Sequence, residues 1–195
     1  VAGTDQKLKA VCDRIEIPPV KPDVTRVHQH QTDCPCCGTS AVVHHIAPSR
    51  GKAVVREVLG AHVPAVWVSD RFSAQKGHGA DWQVCLAHLL RDVQYALDAG
   101  DRVLAPPIKY ILLRAVAIGR RRDGLKDTTL RQYRYALDRR LDQALARPPD
   151  TRAGEKLYRQ IVGARANLFV FVTNRAVPST NNISERYLRP VVIFR

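Results

Sequence analysis

The sequence predicts an α/β fold in which a small, irregular, cysteine-containing N-terminal segment precedes alternating strands and helices. Two observations support this. Short β-branched runs alternate with helical periodicity between residues 41 and 102, and the apolar residues of 103–172 recur at spacings of three and four. We therefore divide the chain into an N-terminal segment (1–40), a first α/β part (41–102), an all-helical insertion (103–172) and a final segment (173–195).

The first α/β part opens with a strand, a helix and a second strand. Residues 41–47 are apolar and β-branched, which predicts a strand, and residues 52–59 have helical spacing before a helix-ending Gly60. Residues 63–68 form a second short apolar run. This order predicts a right-handed parallel crossover that leaves Asp70 at the carboxyl end of a strand, where open α/β sheets place their chemistry.

The pattern then turns from strands to helices. Residues 82–85 predict a third strand, and the apolar stripe after them predicts a helix over about 86–99, ended by Gly100. A long helical region opens at Pro106, and we expect the run Gly-Arg-Arg-Arg at 119–122 to break it into a loop.

The remaining helices are also bounded by turn and cap residues. Periodicity predicts one helix over 128–146, stopped by Pro148, and another over 154–171. Asn181 can cap a last short helix over 183–188, which Pro190 ends.

The charge balance indicates a polyanionic partner. The chain has 195 residues with 31 Lys and Arg against 18 Asp and Glu, which gives a formal net charge of +13. Lys and Arg displace condensed counterions from phosphates, so nucleic acid is the first candidate. A basic membrane-surface helix is not found, and with aromatic residues at only 6% a stacking RNA-binding protein is disfavoured.

No apolar run is long enough to span a bilayer, and no apolar core of signal-peptide type is present. These features predict a cytoplasmic protein whose five cysteines stay reduced. The chain begins at Val1, contains no Met and stops in an apolar run, which predicts a fragment of a larger protein.

Two acids are candidates for metal-dependent phosphodiester chemistry. Such chemistry needs carboxylates that hold divalent ions, and Asp70 at a strand end and Glu185 on a late helix fit two of these positions. The alternatives are a turn residue for Asp70 and, for Glu185, a helix residue paired with Arg189 at i+4.

Cysteines and histidines offer two further groups. Cys34 and Cys37 form half of a zinc site, which Cys12, His28 or His30 could complete; the alternative is a relic knuckle with free thiols. Cys85 and His88 share one helix face, and we interpret them as supporting residues of the site wall rather than metal ligands.

Basic residues crowd the helical insertion. We predict that Arg120, Arg121 and Arg122 contact DNA phosphates, and that Arg186 and Arg189 reach the DNA backbone beside Glu185. The alternative is a solvated helix face that the neighbouring aspartates partly neutralise.

Three motifs together resemble the insertion-sequence-sixty-six transposase family. They are WVSD at 67–70, WQVCLAHLLRD at 82–92 and TNNISERYLRP at 180–190, with PSRG at 48–51 and GRRRD at 119–123 also similar. The resemblance covers residues 10–195 and implies a ribonuclease-H-like core and DDE-type DNA transposition. Asp70 would be the second catalytic acid and Glu185 the third, both as Mg²⁺ or Mn²⁺ ligands. It also implies transposon and target DNA as partners, zinc at the N-terminal cysteines, association with other transposase subunits and a bacterial, nucleoid-associated location.

The sequence departs from the family at one place. In the family a first catalytic aspartate lies between the zinc-binding segment and the strand at 41–47, and here the connecting region is missing. The ribonuclease-H-like core is then incomplete, and we expect no DNA cleavage or joining because one metal-binding carboxylate is lost. The alternative is a non-catalytic, DNA-binding remnant that occupies transposon DNA or associates with intact transposase.

Overall fold

The strands form two separate two-stranded sheets in the computed structural model, which describes residues 26–33 and 40–182. Strand β1 (Arg26–Asp33) pairs antiparallel with β2 (Ser40–Ala47). The N-terminal segment predicted to be irregular thus contains a strand. The sequence of β1 lacks the alternation of apolar and polar residues that predicts a strand. The strand can still form, because pairing with a neighbour close in sequence has a small loop-closure cost.

The predicted parallel crossover from β2 to β3 is wrong. Strand β3 (Val66–Ser69) pairs instead with β4 (Asp81–Val84), in parallel, with Val66 opposite Asp81 and Ser69 opposite Val84. Helix α1 (Lys52–Leu59) still connects β2 to β3, but these two strands belong to different sheets. The order strand, helix, strand was predicted correctly. The pairing partner of each strand was not, because it depends on tertiary contacts that the order of elements does not reveal.

Two glycines end the helices that flank this parallel pair. Gly60 follows α1 with a φ of 56°, and Gly100 follows helix α2 (Leu86–Asp98) with a φ of 94°. Both lie in the left-handed region, which costs a glycine little.

The described residues from 105 to 173 are mostly helical, in agreement with the helical character predicted for 103–172. Helices α3 (Ala105–Arg121), α4 (Asp127–Leu145), α5 (Arg152–Ala164) and α6 (Val170–Thr173) are joined by short turns and 3-10 helices. Asp101 is fully buried and its Oδ1 accepts hydrogen bonds from the N–H groups of Leu104 and Ala105, which fixes the start of α3.

Helix α3 ends within the run 119–122 as expected, but it runs through Gly119 and ends only at Arg121. Gly119 makes a close packing contact. A Cβ on Gly119 would lie 2.7 Å from Cε2 of Phe171, so the absence of a side chain lets the aromatic ring pack on the helix backbone. Glycine at this position therefore serves packing between α3 and α6.

The helix predicted over 154–171 is shorter than expected: α5 ends at Ala164, and a 3-10 turn follows at Arg165–Asn167. Gln83 on β4 explains the change of direction. Its amide nitrogen donates to the carbonyl of Leu168 at 3.0 Å, and its amide oxygen accepts from the N–H of Phe171 at 3.1 Å. These bonds satisfy backbone groups that a continuous helix would have paired internally.

The hydrophobic core lies among α2, α3, α4, α5 and α6, and β4 contributes Val84 to it. The described residues thus form a mixed, mostly helical structure with a small parallel strand pair, which is consistent with an α/β class. The ribonuclease-H-like core and the division into domains remain predictions. None of the described helices has both the length and the apolar character needed to cross a membrane.

Candidate functional site at the strand edge

Asp70 lies directly beyond the carboxyl end of β3, as the sequence predicts. Its carboxylate Oδ1 accepts a hydrogen bond from the N–H of Phe72 at 3.0 Å, which closes a local turn and fixes the side chain. The preceding Ser69 is buried; its Oγ accepts from Nε1 of Trp82 at 3.0 Å, and its carbonyl accepts from the N–H of Cys85 at 2.8 Å. The carboxylate therefore sits on a rigid strand end.

A pocket of about 620 Å³ opens beside Asp70. Its walls come from the turn after β3, from β4, from α2 and from α5. Four cationic side chains face two carboxylates among its lining residues, which are Asp70, Arg71, Phe72, Lys76, Trp82, His88, Arg91, Asp92, Arg159, Gln160, Gly163 and Ala164. An excess of positive charge in a concave site favours an anionic ligand such as a phosphate.

The second carboxylate of the pocket is already engaged. Asp92 on α2 forms an ion pair with Arg71, the residue after Asp70. The side chain of Arg71 is 17% exposed and that of Asp92 is 37% exposed, so solvent screens the pair only in part. This ion pair connects the end of β3 to α2. Of the two carboxylates that line the pocket, only Asp70 has no ion pair in the described structure.

Cys85 and His88 lie at the start of α2, next to this strand end. The Cys85 thiol is fully buried, and its Sγ lies 3.4 Å from Nδ1 of His88. The same sulfur accepts a hydrogen bond from the N–H of Asn181 at 3.3 Å, and the N–H of Leu86 donates to the carbonyl of Ser179 at 3.0 Å. The segment 179–181 is thus held against the first turn of α2, where it satisfies a helix N–H that has no partner within the helix.

Arg122 holds the segment that leads to this contact. Its guanidinium donates to the carbonyls of Phe171, Asn174, Arg175 and Val177, at 3.2 Å for Asn174 and 2.6 Å for Val177. The side chain is only 12% exposed, and burial lowers the pKa of the guanidinium below its ordinary value. Arg175 completes the junction by pairing with Asp127 and donating to the carbonyl of Leu125.

The three arginines predicted as one DNA-binding cluster therefore differ. Arg122 is occupied by internal carbonyls and acts as a clamp on 171–177, a role that the cluster prediction missed. Arg120 and Arg121 are exposed at the end of α3, and the guanidinium of Arg121 lies 5.7 Å from the ring centroid of Tyr133. DNA contact by these two remains a prediction.

Several predicted site residues lie outside the described residues: Glu185, Arg186, Arg189, Cys12, Cys34 and Cys37. His28 and His30 are placed on β1 by the backbone. Within 26–33 and 40–182, no group of three or more His, Cys, Asp or Glu side chains is positioned to hold a metal ion. The described part of the site therefore supplies one strand-end carboxylate and its cationic surroundings.

Sequence reasoning missed all four of the pocket's cations. Arg71 and Lys76 follow the strand in a turn, Arg91 lies on α2, and Arg159 comes from α5 almost ninety residues further along the chain. Proximity to Asp70 could have suggested the first two. Nothing local in the sequence marks Arg159, because its place depends on how α5 packs beside α2.

Comparison with known proteins decides the family. A family model described as Transposase IS66 family matches residues 11–195. The chain belongs to this family. No curated protein matches it, and no solved structure does. Membership in the IS66 transposase family agrees with the resemblance carried by the motifs around Asp70 and Glu185, and DNA is the partner that such membership implies.

Proposed function

We propose that this IS66-family chain is a DDE-type transposase fragment that binds DNA and does not cut it. Asp70 would act as one ligand of a divalent metal, Mg²⁺ or Mn²⁺, and Glu185 as another. When bound, such a metal polarises phosphate oxygens and activates the attacking oxygen. The observation that carries the proposal is the pocket at the end of β3, where Asp70 stands among cations that suit a phosphate backbone.

The path of the chain supports a meeting of Asp70 and Glu185. Asp70 follows Ser69, whose carbonyl is bonded to the N–H of Cys85, and the sulfur of Cys85 is bonded to the N–H of Asn181. Glu185 comes only four residues after Asn181. Four residues of chain span at most about 14 Å even when fully extended, so the separation along the sequence permits Glu185 to approach the strand end.

The absence of cleavage follows from the number of carboxylates. Three acids hold the metals in the family pattern, and the acid expected first in the chain is missing from this sequence. Asp92 is the other carboxylate at the pocket, but its ion pair with Arg71 already neutralises it. Removing it from that pair would leave Arg71, which is mostly buried, without its counter-charge.

A plasmid-nicking assay tests the proposal. The full chain is incubated with supercoiled DNA and Mg²⁺ or Mn²⁺, with Asp70→Asn and Glu185→Gln variants as matched controls. We expect no conversion to the open circular form above the buffer background in any sample. Metal-dependent nicking that both substitutions abolish would overturn the proposal, since it would show a complete catalytic site.

A second candidate function is that of a DNA-binding remnant that occupies transposon DNA or associates with intact transposase. The cations of the pocket, Lys76, Arg91 and Arg159, favour it. It predicts DNA binding that weakens steeply as salt rises and that persists in the Asp70→Asn variant. Fluorescence-anisotropy titrations at several salt concentrations measure both properties, and an unchanged affinity between low and high salt would contradict it.

A further inference from the structure

A basic and aromatic stripe runs along the contact between α3 and α4, on the outer surface of the helical region. We call it the α3–α4 seam and define it as Tyr110, Arg114 and Arg121 of α3 with Tyr133 and Arg140 of α4. The guanidinium carbon of Arg140 lies 6.0 Å from the ring centroid of Tyr110, and that of Arg121 lies 5.7 Å from the centroid of Tyr133. The helices run antiparallel, so each end of the seam carries one arginine–tyrosine pair.

Helical geometry puts the α3 members on one line. Residues 110 and 114 are four apart, and residues 114 and 121 are seven apart. These spacings are close to one and two full turns of an α-helix, so the three side chains lie on nearly the same side of it. The opposite face of the helix holds the core residues Ile108, Ile111 and Ala115. The seam side is exposed, and Tyr110 retains 57% of its accessible surface.

In the part of the chain that the structure describes, no acid forms an ion pair with the seam. Helix α3 contains no Asp or Glu, and each of the three acids of α4 pairs with an arginine outside the seam. The pairs are Asp127 with Arg175, Asp138 with Arg134, and Asp142 with Arg165. Arg114, Arg121 and Arg140 therefore have no carboxylate within 4.0 Å among the described residues. The aspartates of α4, which were expected to neutralise the basic helix face, thus form ion pairs with arginines that are not part of the seam.

The tyrosines order these cations. Hydrogen bonds from Arg140 and Arg114 lower the pKa of the Tyr110 phenol below its ordinary value. A guanidinium that rests on an aromatic ring loses little further freedom when it binds a ligand. Its N–H groups remain available to anionic oxygens, which planar arginine binds in a bidentate manner.

We infer that the α3–α4 seam is a binding surface for the phosphate backbone of duplex DNA, separate from the pocket at Asp70. From Tyr110 to Arg121 the seam is roughly 16 Å long at the rise of an α-helix, which matches about five base pairs of duplex. Three cations without counter-charge along such a line fit a row of phosphates. The inference rests on the proposed function, because it assigns a second contact region for the same DNA partner.

A charge-matched comparison of two triple variants tests the inference. The seam variant is Arg114→Gln, Arg121→Gln and Arg140→Gln. The control variant is Arg102→Gln, Arg147→Gln and Arg152→Gln, which removes the same charge from three exposed arginines that do not belong to the seam. Both are made in the full chain, and thermal unfolding checks that both stay folded. Binding to a 30-base-pair duplex is measured by anisotropy between 50 and 300 mM salt.

We expect the seam variant to bind roughly 10- to 100-fold more weakly at low salt and to reduce the slope of log K against log salt by about 2 to 3, as for three lost phosphate contacts. The control variant should change the affinity less than about threefold through the long-range field alone. Equal losses in the two variants, or no loss in either, would overturn the seam as a DNA surface.

The outcomes also separate this inference from the proposed function. If the unmodified chain binds DNA and only the seam comparison fails, the pocket at Asp70 remains the DNA contact and the seam is excluded. If the unmodified chain shows no salt-dependent DNA binding, both fail together. If an acidic polypeptide such as polyglutamate binds through the seam and duplex DNA does not, the seam serves an acidic protein partner and the inference is wrong.

Discussion

The strand edge and the helical region use arginine for different purposes. At the strand edge, Arg91 and Arg159 line a pocket beside Asp70, whose carboxylate has no ion pair in the described structure. In the helical region outside the α3–α4 seam, Arg122, Arg134 and Arg165 are bound to carbonyls or aspartates within the protein. The first arrangement leaves positive charge available to a ligand. In the second, the guanidinium groups form internal hydrogen bonds and ion pairs that stabilise the fold.

The two regions also differ in how much core they contain. The large, fully buried side chains belong almost entirely to the helices, whereas three of the four residues of β3 are only half-buried. Gln83, Arg122 and the buried thiol of Cys85 connect the two regions. The site therefore depends on the helical region for its support, and substitutions in the helices should affect the strand edge more than the reverse.

The largest expected effect comes from breaking the clamp. Arg122→Ala removes the donors of four backbone carbonyls, and we expect a loss of about 3 kcal/mol in the free energy of unfolding. Arg121→Ala, one residue earlier but exposed, should cost less than about 0.5 kcal/mol. Urea denaturation measures both values.

The clamp variant also tests the support given to the strand edge. In Arg122→Ala the segment 174–181 should leave α2 more often, so Cys85 should react faster with a thiol reagent under native conditions. Peptide mass mapping distinguishes Cys85 from the other four cysteines. Protection of Cys85 equal to that of the unmodified chain would show that the two regions are held independently.

A smaller effect is expected from Gly154→Ala within the helical region. A Cβ there would lie 1.8 Å from Oδ2 of the fully buried Asp101, so Asp101 would have to move from the start of α3. We expect a loss of about 2 kcal/mol in unfolding free energy. Gly163→Ala, in the same helix and with open space around its Cβ, should instead gain up to about 1 kcal/mol. Two similar values would refute the packing account.

The smallest effect concerns pH. The hydrogen bonds of Arg165 to Asp142 and of Arg175 to Asp127 lower the pKa of each carboxyl below its ordinary value of 3.8. The folded pKa is depressed, so the stabilisation is present above about pH 4 and is lost as the pH falls through the folded pKa. Both carboxylates are mostly exposed to solvent, which screens these pairs, and the contribution is correspondingly modest.

Thermal unfolding between about pH 5 and pH 2 checks this assignment. The double variant Asp127→Asn and Asp142→Asn should show a shallower fall in Tm with acidification than the unmodified chain. Asp150→Asn, at an exposed position, serves as the control. A fall as steep in the double variant as in the control would assign the acid sensitivity to other groups.

The sequence predicted the elements whose boundaries depend on local chemistry. Gly60, Gly100 and Pro148 mark helix ends correctly, and Asp70 does follow a strand. Predictions failed where distant contacts decide the outcome. The helix predicted over 154–171 is shorter than expected, because Gln83, some eighty residues earlier, binds the backbone that follows α5.

The same limit applies to the site. Asp70 and the neighbourhood of Cys85 and His88 could be selected from their motifs, but the shape of the pocket could not. Arg159 reaches it through tertiary packing alone. Arg122 resembles its exposed neighbours in sequence and differs from them only because the chain returns past it at 171–177.

The bond between the Asn181 amide and the Cys85 sulfur spans 96 residues. At a synthesis rate of about 5 to 20 residues per second, the start of α2 is made roughly 5 to 20 s before its partner exists. During translation the thiol of Cys85 is consequently without this contact while the helices that follow are still being made. We therefore expect a brief interval in which this sulfur is accessible to oxidants, and the interval ends only once residues 179–181 have been made.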